Sequence, residues 1–142
     1  MRRYTIHQLK NIQASNFLMT PLELKDYIDF EVKRIYFFGQ PKDERLTGSH
    51  CHIKEEDELF VLIQGKVTIV VDDGHGLEEV SLEGPKQAIR IPQLVWHHFK
   101  DMSDDVIILA LTSTNYDAER NDYCEDYDEF RKLLSEKGLA LT

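Results

Sequence analysis

The sequence predicts an all-β sandwich or barrel followed by one C-terminal α-helix. Three observations point to it. Short β-branched and aromatic runs recur between Val32 and Thr112. Turn signals separate them, among them Gly39, Gln64-Gly65, Asp72-Asp73-Gly74-His75-Gly76 and Pro92. Beyond residue 122 the apolar period becomes helical: Tyr123, Tyr127, Phe130 and Leu134 are spaced by 4, 3 and 4 residues.

The elements follow in order. Tyr4 to Leu9 alternates weakly and suits an edge strand, whereas residues 10–29 carry no clear pattern. Leu22 to Tyr27 fits a short strand or a turn. Val32 to Phe38 is a strand ended by Gly39, and Gln40 to Leu46, polar and holding Pro41, is a loop. Ser49–Lys54, Glu58–Ile63, Lys66–Val71, Leu77–Leu82, Ala88–Ile91, Trp96–Lys100 and Val106–Thr112 complete the strand set. A helix is expected over Asp122–Lys137, with acids at its start, Arg131, Lys132 and Lys137 toward its end, and Gly138 as its stop. The chain of 142 residues suits one domain over 1–142, with a β-rich core at about 30–113 and the helix at about 122–137.

Composition narrows the function. A hydrophobic content of 42% is that of a folded globular chain. A net charge of −9 argues against a nucleic-acid or anionic-membrane partner as the main role. No apolar run is long enough for a membrane helix, and the basic start, Met1-Arg2-Arg3, leads into no apolar signal segment. Cys51 and Cys124 form neither a disulfide framework nor a zinc motif, and free thiols fit the cytoplasm.

The chemistry centres on Gly48-Ser49-His50-Cys51-His52. Alternate residues of a strand share a face, so His50 and His52 are expected side by side, with Cys51 turned away into the interior. Glu58 and His97 are the further candidates, and of His97 and His98 one is expected inside and one outside. His7, His75 and the acidic run Glu55-Glu56-Asp57 are expected in solvent.

Gly48, His50, His52, Glu58 and Gly65, followed by Pro92-Gln93-Leu94-Val95-Trp96-His97, resemble the two motifs of the cupin superfamily. That resemblance implies a double-stranded β-helix, or jelly roll. A narrower resemblance lies in Phe30-Glu31-Val32-Lys33-Arg34-Ile35-Tyr36, the His-x-His segment, Val70 to Gly74, Val95-Trp96-His97, Asn115-Tyr116-Asp117 and Asp126 to Phe130, in that order. Together they are similar to the dTDP-sugar 3,4-ketoisomerases, the WxcM-like family. What this implies is a homodimeric, metal-independent isomerase that moves a keto group between C4 and C3 of a dTDP-4-keto-6-deoxyhexose through an enediolate. It would need no cofactor and would serve deoxysugar and polysaccharide biosynthesis.

By the same resemblance His50 is the base and His52 steadies protons on the sugar oxygens, which imidazole can do near neutrality. Arg34, Tyr36, Glu58, Trp96 and His97 are the expected substrate contacts, Arg34 for a phosphate and Trp96 as a wall. Two family arginines are absent: Thr47 precedes Gly48, and Ala14-Ser15-Asn16-Phe17-Leu18 stands where an Arg-Gly-x-Leu segment is usual. Two other readings stay open at this point. His50, His52, Glu58 and His97 also make a three-His, one-carboxylate set for a divalent metal, and the fold could bind a sugar nucleotide without turning it over.

Overall fold

The computed structural model describes residues 1–54 and 56–141. The strands are β1 (Thr5–Gln8), β2 (Ile12–Gln13), β3 (Leu18–Met19), β4 (Arg34–Gly39), β5 (Cys51–His52), β6 (Glu58–Gln64), β7 (Lys66–Asp72), β8 (Glu78–Glu83), β9 (Gln87–Ile91), β10 (Trp96–Lys100), β11 (Ile107–Thr112) and β12 (Tyr123–Cys124), with α1 at Tyr127–Glu136. A five-stranded sheet runs β1-β9-β6-β11-β4, a three-stranded sheet β10-β7-β8, and β12-β5 and β2-β3 are short pairs. Each pairing is antiparallel. This is the cupin-like jelly roll that the motifs imply.

The two larger sheets close over one core. β6 is buried on both faces because its apolar residues serve two layers. Phe60 and Leu62 pack between the sheets with Ile69, Val71, Ile89, Phe99 and Ile108. Leu59 and Val61 point outward and are covered by Leu9, Ile28 and the chain around Phe30 and Val32. Leu22, Tyr27 and Ile28, from the stretch that carried no pattern, thus lie over the outer face of a strand. Leu24–Asp26 forms a 3₁₀ turn rather than a strand.

The hairpin at Gly65 shows why the turn needs that residue. Its φ is +82°, and a Cβ there would collide with the Ser103 hydroxyl.

The helix is shorter than its pattern suggests. It begins at Tyr127, where Asp126 caps it by accepting from the Glu129 N–H at 3.0 Å. Tyr123 keeps the helical spacing but lies in β12, its residue opposite His52. Arg131 and Lys132 fall mid-helix rather than in the last turn, and Lys137 is the C-cap. Gly138 ends the helix with φ +70°. Phe130 and Leu134 pack on Trp96, Cys51 and Cys124. Asp72, fully buried, accepts from the Tyr127 hydroxyl at 2.7 Å and from Arg131 at 3.1 Å, which ties the helix to the end of β7.

Several polar residues are less exposed than expected. His7 is half-buried and edge-on to Tyr27, with ring centroids 5.1 Å apart. His75 is half-buried and lies 2.8 Å from Asp73. Glu56 is only 5% exposed, and Glu55 lies outside the described residues.

Candidate active site

The lumen of the roll opens at one end into a cavity of about 400 Å³. Strand parity places the groups that line it. Tyr36 and Phe38 of β4, Glu58 and Phe60 of β6, and His97 and Phe99 of β10 all point inward between the sheets. His50 closes one side, joined to His97 by an isolated antiparallel bridge. His97 is buried while His98 is half-exposed and hydrogen-bonded to Ser49, so the inside-outside split of this pair is as expected.

His50 and His52 do not share the cavity equally. The regular strand covers only Cys51–His52, whereas His50 belongs to the bridge with β10. The two rings therefore meet edge to face, centroids 4.9 Å apart and planes 88° apart. His50 lines the cavity; His52 is buried behind it and reaches a smaller cleft with Arg34, Glu56, Asp122 and Tyr123.

His52 is enclosed by carboxylates. Its Nε2 lies 2.8 Å from Glu56 and 2.9 Å from Glu58, and its Nδ1 lies 3.4 Å from Asp122. One N–H cannot point along both Nε2 lines, so the carboxylates act on it as a charged pocket rather than as two ideal bonds. Burial opposes the imidazolium, but Glu56 and Glu58 prevail and raise the His52 pKa to about 9. His50 moves the other way. Burial, then the neighbouring charge of His52, lowers it to about 4, so it is a neutral imidazole at pH 7. Its Nδ1–H faces the Gly48 carbonyl at 3.4 Å, which leaves Nε2 as the basic nitrogen.

The remaining groups are set by the same burial. Burial, and then the adjacent Glu56, pushes the Glu58 carboxyl up to about 7 against the pull of His52. Burial also works against charge on Glu56, but His52 and Thr114 hold its carboxyl below the usual range. The Tyr36 hydroxyl donates to Glu58 at 3.0 Å, and burial followed by that carboxylate keeps it protonated. His97 donates Nδ1–H to the Val95 carbonyl at 3.0 Å, and its buried Nε2 has no partner among the described residues. An unpartnered buried acceptor is costly, on the order of 1–3 kcal/mol, unless a ligand supplies a donor.

Two expected contacts lie elsewhere. Trp96 follows the opposite parity to His97 and packs under α1, with ring centroids 5.6 Å from Phe130, so it does not wall the cavity. Arg34 lies behind His52, where its guanidinium donates to Glu56 at 3.1 Å. Cys51 is buried on the helix side, as its place between the histidines implied.

Tyr123 and Arg120 line the cavity without having been expected from the sequence. Tyr123 stacks on His50, with centroids 4.9 Å apart and planes 25° apart, and Arg120 sits over Tyr123 with its guanidinium carbon 4.0 Å from the ring centroid. The helical spacing of Tyr123 hid the first, and Arg120 lies in a loop without a periodic signal.

The metal reading meets an obstacle in the donor set. His50, His52 and Glu58 bring one donor atom each within 4.8 Å of one another. However, His52 Nε2 already faces two carboxylates, and an imidazole held as a cation has no lone pair to give. The second Glu58 oxygen accepts from Tyr36. The residues fit a divalent cation poorly.

The family model "FdtA: WxcM-like, C-terminal" matches residues 2–135. The TDP-4-oxo-6-deoxy-alpha-D-glucose-3,4-oxoisomerase of Aneurinibacillus thermoaerophilus is 31% identical over 130 residues, covering 92% of this chain and 91% of its own. The solved 3,4-ketoisomerase of Helicobacter canadensis superposes with a TM-score of 0.84 at 28% identity, over 95% of this chain and 99% of its own. A double mutant of the QdtA 3,4-ketoisomerase from Thermoanaerobacterium thermosaccharolyticum, in complex with TDP, gives 0.86 at 25% identity, over 98% and 99%. The extent of the family match, together with the shared fold, establishes that this chain belongs to the WxcM-like FdtA family, among isomerases.

Proposed function

We propose that the chain is a sugar-nucleotide 3,4-ketoisomerase that converts a dTDP-4-keto-6-deoxyhexose to its 3-keto isomer. The observation that carries this reading is the placement of two imidazoles, His50 at the cavity wall and His52 edge-on behind it against Glu56 and Glu58. Isomerisation next to a carbonyl needs a base for the neighbouring C–H and a positive field for the oxyanion that forms.

His50 takes the proton from C3. The electron pair of that C–H bond becomes the C3–C4 double bond, and the C4 carbonyl pair moves onto oxygen to give the enediolate. The field of His52 stabilises that charge and also disfavours a proton on His50 before the reaction. Tyr36 and Glu58 exchange protons with the sugar oxygens, a task suited to a carboxyl that titrates near 7. His97 Nε2 accepts a hydrogen bond from a sugar hydroxyl. The enediol then collapses: the C3 hydroxyl loses its proton, C3=O forms, and C4 receives a proton. Electrons balance within the sugar, so no redox partner is needed.

The reading extends to assembly and setting. Ile35 and Phe37 of the edge strand β4 are 61% and 75% exposed, an apolar face that favours a homodimer. Among the described residues, no helix is long and apolar enough to cross a membrane. The two free cysteines suit a cytoplasmic role in deoxysugar and polysaccharide biosynthesis. Incubation with dTDP-4-keto-6-deoxyglucose in D₂O tests the chemistry: deuterium should enter C3 or C4, and His50→Asn should abolish the exchange.

A further inference from the structure

We propose that Arg120 anchors the diphosphate of the sugar nucleotide, and that Glu125 is the internal partner it gives up when substrate binds. The inference rests on the ketoisomerase reading, because it assumes an anionic substrate.

The cavity is poor in cations for such a ligand. Among the described residues that line it, Arg120 is the one lysine or arginine, and His50 is neutral near pH 7. Glu58 and Glu125 line the same cavity, in a chain of net charge −9. Other arginines near the motifs are engaged elsewhere. Arg34 pairs with Glu56 behind His52. Arg45 pairs with Asp104 at 2.5 Å and donates to the Met102 carbonyl at 3.2 Å, outside the cavity.

Arg120 is placed relative to the chemistry by ring stacking. Its guanidinium covers Tyr123, and Tyr123 covers His50. One ring, that of Tyr123, separates the cation from the base, a span that a hexose and its first phosphate can bridge. The backbone holds this placement at φ +56° for Arg120. The turn is closed by Arg120 N–H to the Asp117 carbonyl at 3.1 Å and Tyr123 N–H to the Arg120 carbonyl at 3.1 Å. A non-glycine residue in the left-handed region costs energy, so this backbone is kept against its own preference.

Glu125 completes the device. Both Nε and one terminal nitrogen of Arg120 donate to the same Glu125 oxygen, at 3.2 and 2.8 Å. The guanidinium fork suits two phosphate oxygens better than one carboxylate oxygen. Arg120 is therefore held at the mouth in an exposed, weak pair that a diphosphate can replace.

The test is calorimetric binding of dTDP alongside steady-state isomerisation. Arg120→Ala should weaken dTDP about 10- to 100-fold, the loss of one charge-assisted contact set, with the kinetic loss falling on KM rather than kcat. Arg120→Lys should recover part of it, as a point charge without the fork. Glu125→Gln should tighten dTDP severalfold, because the competing carboxylate charge is gone. A dTDP affinity within twofold of wild type in Arg120→Ala, or weaker binding in Glu125→Gln, would overturn the anchor. The two readings fail separately: Arg120-dependent dTDP binding without isomerisation counts against the ketoisomerase reading alone. Isomerisation with an unchanged KM in Arg120→Ala counts against the anchor alone.

Discussion

The rings of His50 and His52 meet edge to face at 4.9 Å, and only His50 lines the cavity. At that distance two imidazolium charges repel, so the pair holds one charge near neutrality. Glu56 and Glu58, both at His52 Nε2, decide where that charge resides.

The pH dependence follows from this division. kcat/KM should rise as pH climbs through about 4, where His50 loses its proton, and fall as pH passes about 9, where His52 loses its own. Glu58, titrating near 7, adds a shallower change between them that Glu58→Gln should remove. Folding stability carries a matching signature. The His52 pKa is above its unfolded value of about 6.5, so its contribution is full below that pH and is lost as pH rises through about 9. A pH–rate profile beside urea melts at pH 6 and 10 checks both.

Tyr123 shields His50, and burial is the first cause of the lowered His50 pKa. Tyr123→Ala should therefore move the acidic limb of the profile up from about 4 toward 6.5 while the fold persists. Following the His50 ring protons by NMR against pH gives the value directly.

Glu58→Gln keeps the side-chain shape but removes the titratable carboxyl whose two oxygens face Tyr36 and His52. kcat should fall by about 10²-fold, the lower range for loss of general acid–base help, while dTDP binding stays near wild type. Treatment with a chelator should leave wild-type turnover unchanged. Loss of turnover on chelation, restored by one divalent ion, would support the metal reading instead.

Asp72 joins β7 to the helix through Tyr127 and Arg131, and its side chain also accepts from the N–H groups of Gly74 and Gly76. Asp72→Ala leaves these donors without their shared acceptor. It should cost about 3 kcal/mol, measured by urea unfolding, and should loosen the helix before the β core.

Much of the site was legible because strand periodicity is local. Glu58 and His97 reach the lumen by the same alternation that sets Phe60 and Phe99, and Cys51 turns away as alternation requires. What escaped depends on where the chain stops being regular. Tyr123 fits the helical spacing of Tyr127 and Phe130, but Asp126 caps the helix after it and β12 claims it. Glu56 sits in a run of acids that suggests solvent; only its tertiary partners, His52, Arg34 and Thr114, bury it. Trp96 and His97 are neighbours in sequence yet serve opposite faces, so motif proximity placed Trp96 at the wrong surface. Arg120 gave no periodic signal, because its position comes from a turn and two stacked rings.

Solvent exchange at C3 and C4 reports whether His50 removes the sugar proton. Wild-type protein and His50→Asn are incubated with dTDP-4-keto-6-deoxyglucose in D₂O, and C3 and C4 are followed by NMR. Deuterium should enter with the wild type and fail to enter with a folded His50→Asn protein. Exchange that survives His50→Asn would remove His50 as the base, and tight substrate binding by the wild type with no exchange would mean the site binds the sugar nucleotide without turning it over.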